Sequence, residues 1–284
     1  MIIIDATNIC HIAKHSTGKL KYGNIFTGVV FGFFQAIKRI TKELQDNFLI
    51  FAWDADHYKR KDLYPEYKAD RAQRKLEKTD EELKFDEVSY RQFKLIRKRV
   101  LFDFGFRNNF IFDGYEADDI IASIVLALPP GTQTPIVVST DEDDYQLLDK
   151  CRIYNPITKQ TITRLSFIKE YGIEPRAWAS VKALSGYKDN ISGIKGVGKI
   201  TAIKYITGLL NQGKLYEKIK EQEKEVLERN MPLCKLPFDH IELLLQIHED
   251  FKLQDFIDIC DQYGFHSYLK MEEMSFWKNM FLMR

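Results

Sequence analysis

Cysteine is scarce in this 284-residue chain, and Cys10, Cys151, Cys234 and Cys260 lie far apart, with no spacing that suits a zinc site or a disulfide framework. Four reduced, packed thiols are expected. Long hydrophobic runs are missing as well: no stretch approaches the roughly 18 apolar residues of a membrane span, and no basic leader segment precedes the first apolar run. A soluble, cytoplasmic protein with no membrane partner is therefore expected. Charge of one sign is also lacking, since 42 Lys and Arg face 41 Asp and Glu. Neither a G-x-S-x-G elbow nor a Cys-His signature occurs, so no nucleophilic side chain of those kinds stands out. His11 and His15 have the i,i+4 spacing of zinc ligands, but Ile12, Ala13 and Lys14 between them lack the glutamate of H-E-x-x-H.

Apolar and aromatic residues are plentiful enough for a large core, in one elaborated domain or a domain with a smaller appendage. The apolar runs close on carboxylates: MIIID ends at Asp5, FLIFAWD at Asp54 and PIVVSTD at Asp141, with a dense EADD from Glu116 to Asp119. If those runs are strands of one parallel sheet, their carboxyl ends share the edge at which open α/β sheets bind ligands. Crowded carboxylates repel one another, so the pattern implies hard dications with oxygen ligands, of the magnesium type. Two such ions lower the pKa of a bound water, orient a phosphodiester and neutralise its leaving oxygen, with no side-chain nucleophile required. Helix capping explains EADD alone but not acids closing three separate strands.

Periodicity predicts strand 1–5, a helix near 27–46 with Val29, Phe33, Ile37 and Ile40 on one stripe, and strand 48–54. Residues 57–100 are highly charged and helix-favouring, with too few apolar residues in the first half to pack on a core throughout, so an element projecting from the sheet is expected. Strand 110–113, a helix over 116–128 stopped by Pro129 and Pro130, strand 135–140 and an edge hairpin at 152–155 and 161–164 follow. Beyond Gly172 the chain reads as helical, with breaks near 186–198, 213 and 232–237.

The near-neutral balance hides a segregation. Residues 57–78 carry eight Lys or Arg against four acids, and Arg91, Lys94, Arg97, Lys98 and Arg99 have no acid among them. Basic patches apart from an acidic site suit a polyanion whose scissile bond lies at metal ions, although solvated helix faces explain each patch singly. In DNISGIKGVGKITAIK, Gly193 to Lys199 satisfies G-x-x-x-x-G-K, but Ile200 stands where a P-loop needs Ser or Thr and no strand precedes it. Glycines in a turn between helices instead free backbone N–H groups for a phosphate, with Lys195, Lys199 and Lys204 adding charge.

From Met1 to about residue 210 the chain resembles the flap endonuclease and 5′ to 3′ exonuclease family, especially the compact bacteriophage members without a polymerase domain. The resemblance rests on IIIDATN, WDAD, YPEYKADR, YEADD, VVSTDEDD and KDNISGIKGVGKITA, in the family's order and at suitable spacings. It implies an α/β fold, a mostly parallel central sheet flanked by helices, with a helical arch over about 57–100 and a C-terminal helical region. A nuclease core would span 1–175 and a helical DNA-binding region 176–284, with a helix-hairpin-helix at about 180–210. Asp5, Asp54, Glu116, Asp118, Asp119, Asp141, Asp143 and Asp189 would hold two magnesium ions directly or through water, with manganese able to substitute. Lys68 and Arg71 would reach the scissile phosphate, Tyr67 would stack on a terminal base, and Arg60 is a further candidate for the phosphate. Lys195, Gly196, Gly198 and Lys199 would grip the duplex backbone, with a potassium ion as a further implied partner of the hairpin. The implied protein is a monomeric nuclease cutting DNA at 5′ single-stranded ends or flaps, in primer removal or DNA degradation, alongside replication proteins.

One motif departs from the family. The last acidic motif is commonly G-D-x-x-D-N, whereas Ser185, Gly186, Tyr187, Lys188, Asp189 and Asn190 stand here, so Gly186 is read as replacing the first aspartate and weakening the second metal position. Glu142 and Asp144 are the nearby acids that could compensate. A DNA-binding scaffold with a degraded site is the non-enzyme alternative, and a ribonuclease of a related compact acidic fold is the second enzyme alternative. The C-terminal MEEMSFWKNMFLMR is read as a packed amphipathic helix.

Overall fold

The computed structural model describes residues 1–187, 190–246 and 251–282. Its strands are β1 (Ile2–Asp5), β2 (Lys21–Tyr22), β3 (Ile25–Phe26), β4 (Leu49–Ala52), β5 (Asn109–Phe110), β6 (Ile136–Val138), β7 (Arg152–Tyr154) and β8 (Thr161–Ile162). The helices up to the middle of the chain are α1 (Ala6–Ser16), α2 (Gly28–Leu44), α3 (Lys59–Leu63), α4 (Asp70–Leu76), α5 (Asp80–Leu95), α6 (Leu101–Asp103) and α7 (Ala117–Ala127). Six more follow: α8 (Arg164–Tyr171), α9 (Trp178–Ser185), α10 (Lys199–Ile206), α11 (Lys214–Cys234), α12 (Leu253–Tyr263) and α13 (Met271–Leu282). The fold is α/β, mostly parallel in its central strands and flanked by helices. Two compact units interleave along the chain, one formed by residues 1–53, 79–110 and 243–284, the other by 54–78 and 111–242.

In the first unit β1 pairs in parallel with β4, Ile2 opposite Leu49 and Asp5 opposite Ala52, and β4 pairs in parallel with β5. Both β1 and β4 are continuous apolar runs because both faces of a parallel strand are covered. Helix α2 buries Val29, Phe33, Ile37 and Ile40, the stripe expected from periodicity. Its first turn has no side-chain cap of its own; Gln92 supplies one, its Oε1 accepting from the N–H groups of Val29 and Val30 at 3.0 and 3.3 Å. That contact belongs to α5, which packs on α1 and α2 through Gln92 and Phe93, so the second half of the charged stretch is docked rather than projecting. The capping box of Thr79 and Glu82 starts α5 where the charge pattern alone showed no boundary. Trp277 of α13 is fully buried against Phe34, Phe104 and Tyr268, so the C-terminal helix is a core element, as its amphipathic pattern implied. His11 stands edge-on to Tyr90 and Phe93, an aromatic packing role.

In the second unit β6 pairs in parallel with β7, and β8 returns antiparallel as the expected hairpin. Helix α4 has no buried residue. Helices α9, α10 and α11 pack together, and Asn230 of α11 pins the turn between the first two by donating to the carbonyls of Ala183 and Ser192 at 2.8 and 3.0 Å. Helix α11 runs through Pro232 to Cys234, so the break expected there falls after the helix. All four cysteines are free and buried.

Candidate active site

Helix α7 gathers the acidic cluster. Glu116 is its N-cap and Asp119 its third residue, each accepting from the other's backbone N–H in a capping box, so the EADD order serves capping and chemistry together. One carboxylate oxygen each of Glu116, Asp118 and Asp119 lies within 4.8 Å of the others. Asp54, just beyond β4, accepts the N–H of Ala117 at 2.8 Å and joins this group. Burial and the charge of Glu116 raise the Asp54 pKa, tempered by Lys68 and Arg71. Asp118 is pushed well above the usual carboxylate range by burial and by Asp119 and Glu116. Burial alone would raise Glu116 too, but Lys68 and Arg60 hold it below its ordinary value. Among the described residues one Asp118 oxygen is buried without a hydrogen-bond partner. Hard oxygen donors, crowded charge and an unsatisfied buried oxygen fit a divalent ion.

Three basic or aromatic residues from 60 to 68 close around the cluster. Lys68, with φ +57°, places its ammonium on Glu116. Arg60 is 3% exposed; its guanidinium grips Asp119 at 2.6 and 2.7 Å and reaches Glu116 at 3.2 Å. A guanidinium so engaged is an internal counter-charge for these acids. Asp119 also accepts the Phe238 N–H at 2.7 Å. Tyr67 is likewise buried, donating its hydroxyl to Glu116 at 2.8 Å and packing with Ala183, Ile191 and Leu233. Its ring is part of that core. Arg71 is exposed in the first turn of α4.

Beyond β6, Asp141 accepts the Asp143 N–H at 2.9 Å while its own N–H donates to Ser139 at 3.0 Å, so both acids follow one tight turn. Asp143 forms an ion pair with Lys182, which is 4% exposed inside α9. Sequence reasoning missed Lys182; its signal was a single charge within the apolar WASVKALS. Glu142 is taken by Lys199 at 2.7 Å, and Asp144 is buried, so neither offers a ready substitute ligand. Asp5 ends β1 in the first unit, where it caps α1 by accepting the Asn8 N–H at 2.8 Å. Asp189 lies outside the described residues.

Gly186 holds φ +74°, and a Cβ there would lie 2.5 Å from Gly193 N and 2.7 Å from Ile191 O, so the backbone at this position favours glycine. Gly196 and Gly198 have open space at Cβ, with Lys195 and Lys199 exposed beside them.

Asp144 gives a pH test. Burial and Asp141 raise its pKa to about 7, tempered by Ser139. Because the folded pKa lies above the unfolded one, the native state holds the extra proton, and stability falls as pH rises from about 4 to about 7. Asp144→Asn is expected to stabilise the ion-free protein at pH 8 by up to roughly 4 kcal/mol and to change it little at pH 4. Equal denaturant midpoints for parent and variant at pH 8 would refute this.

The fold is mostly parallel α/β, and its buried carboxylates, gathered at a helix N-terminus and countered by lysine and arginine, could hold a divalent ion. Residues 1–172 match the family described as 5′-3′ exonuclease, N-terminal resolvase-like domain, and the chain belongs to that family of nucleases. It is 31% identical over 223 residues to a 5′-3′ exonuclease of Mycoplasmopsis pulmonis, covering 77% of this chain and 68% of the relative. A 5′-3′ exonuclease of Aquifex aeolicus is 29% identical over 80% of this chain and 77% of its own length. In structure the chain is similar to T5 5′-exonuclease with bound divalent metal ions (zinc), with a TM-score of 0.71 at 23% identity over 99% of this chain and 97% of that one.

Proposed function

We propose that the protein is a magnesium-dependent nuclease that hydrolyses DNA at 5′ ends or 5′ flaps. The carrying observation is the Asp54, Glu116 and Asp118 group, with its unsatisfied buried oxygen and the Lys68 ammonium beside it. These acids hold the first ion; Asp141, Asp143 and Asp189 supply the second position, and Asp5 joins the set on the family resemblance alone. Bound magnesium, with manganese as a substitute, supplies the charge that orients the phosphodiester and stabilises its leaving oxygen. Lys68 and Arg71 present positive charge to the scissile phosphate. Lys195, Gly196, Gly198 and Lys199 hold the duplex backbone as a helix-hairpin-helix, a turn that also suits a potassium ion.

Relatives named 5′-3′ exonuclease support this reading. So do fold neighbours described in complex with DNA substrate or Holliday junction DNA. The division into a nuclease core over 1–175 and a DNA-binding region over 176–284 accords with a family match that ends at residue 172. A monomer acting in the cytoplasm in primer removal or DNA degradation, beside replication proteins, completes the proposal; among the described residues no helix is long and apolar enough to cross a membrane.

The test is incubation of end-labelled 5′-flap and blunt duplex DNA with magnesium or with EDTA. Cleavage that needs magnesium is expected, and intact DNA in both conditions would reject the proposal. Lys68→Ala is expected to lower the single-turnover rate by about 10²–10³-fold, the usual loss for a transition-state donor. Lys199→Ala should instead weaken duplex binding and reduce its salt slope by about one. Equal effects of both variants on rate and on binding would remove the distinction.

A further inference from the structure

Lys182 enters the Asp141 to Asp144 turn from within an apolar helix, and its setting is built rather than incidental. Its ammonium pairs with Asp143 and stands 3.8 Å from the centroid of the Tyr187 ring, with only 4% of the residue exposed. Burying an ammonium is costly unless a carboxylate meets it, and an aromatic face adds attraction for a desolvated cation. The Tyr187 ring thus holds the ammonium on one side while Asp143 meets it on the other.

We propose that Lys182 is a built-in counter-ion for Asp143, and that a divalent ion binds at this second position only by displacing the Lys182 ammonium from Asp143. This rests on the proposed nuclease reading, which supplies the ion. One carboxylate shared between a fixed ammonium and a dication binds the dication less tightly than the same carboxylate alone. The first group offers three carboxylates, Asp54, Glu116 and Asp118, against Lys68 and Arg60, whereas Asp143 is met directly by the buried Lys182, so the two positions differ in affinity. A cavity of about 440 Å³ lined in part by Thr140, Glu142, Lys182, Tyr187 and Lys199 gives the displaced side chain room to move without rearranging α9.

The experiment is calorimetric titration of the full-length protein with Mn²⁺ in the absence of DNA, beside magnesium-dependent cleavage of a 5′ flap. The parent protein should bind one ion tightly and a second at least ten-fold more weakly. Lys182→Met keeps the apolar stem without the charge and should tighten the weak ion at least ten-fold while leaving the tight one within about two-fold. Lys182→Arg keeps the charge and should leave the weak ion as in the parent. Should Lys182→Met fail to fold, Tyr187→Leu removes the aromatic face and should tighten the weak ion three-fold or more. An unchanged weak ion in the folded variant, or two ions of equal affinity in the parent, overturns the role of Lys182 while cleavage stands. No bound ion and no cleavage in the parent overturns the nuclease reading, and the inference with it.

Discussion

Asp118→Asn should abolish magnesium-dependent cleavage and at the same time raise the melting temperature of the ion-free protein. The two effects share one cause. Burial and the neighbouring Asp119 and Glu116 raise the Asp118 pKa, so at neutral pH the folded chain pays to keep that carboxyl near other acids. The sign follows from linkage: a raised folded pKa on an acid means stability lost as pH rises above the unfolded value, and a neutral amide removes that loss. A gain of a few degrees in EDTA at pH 8 is expected, since about 1 kcal/mol corresponds to roughly 2–4 °C for a chain of this size class. Cleavage should fall by more than about 10²-fold, because even outer-shell partners of a metal ion commonly cost 10–100-fold. Added Mn²⁺ should stabilise the parent by mass action and the variant far less. Scanning calorimetry with EDTA and with Mn²⁺ reads both arms. A variant melting below the parent in EDTA would show that the Asp118 carboxylate is a structural partner, not a strained ligand.

Arg60→Met should do the reverse, destabilising the protein by about 3–5 kcal/mol, the usual cost of leaving a buried ion-pair partner uncompensated. The guanidinium grips Asp119 with two nitrogens, at 2.6 and 2.7 Å, and it also donates to the Lys235 carbonyl at 3.3 Å. Its own pKa is raised: burial opposes its charge, but Asp118, Asp119 and Glu116 overcome that cost. Without it, Asp119 loses its counter-charge while Glu116 keeps only Lys68 and Tyr67, and the N-terminus of α7 is strained by the unpaired carboxylate. Arg60→Lys should recover part of the stability, since a point charge meets only one carboxylate oxygen well. The pair Arg60→Met with Asp119→Leu should be less destabilised than Arg60→Met alone, because no buried charge is then stranded. Urea denaturation in EDTA measures all three. A loss under 1 kcal/mol for Arg60→Met would mean that solvent, not the guanidinium, balances these acids.

Much of the site was readable along the chain because its signals are local. Asp54 and Asp141 follow apolar strands, and Glu116, Asp118 and Asp119 start a helix; strand period and capping chemistry place all of them. The stripe on α2 and the hairpin of β7 and β8 were legible for the same reason. The direction of a long side chain was not. Arg60 and Tyr67 sit in a charged, apparently solvated stretch, and nothing local says that both turn inward to Glu116 and Asp119. Nor could spacing show that the backbone of Gly193 fills the space where a Cβ at Gly186 would go.

The sequence by itself determined the class of chemistry: hard oxygen ligands at strand ends, separate basic segments, no nucleophile of the familiar kinds, and the family's motifs in order. Residue type, period and spacing suffice for that, since they act within a few positions. Only the tertiary structure decided which charges are spent on one another, Arg60 on Asp119, Lys68 on Glu116 and Lys182 on Asp143. Those pairings join residues far apart in the chain, and a buried charge takes whichever partner the packed fold brings within a few ångströms.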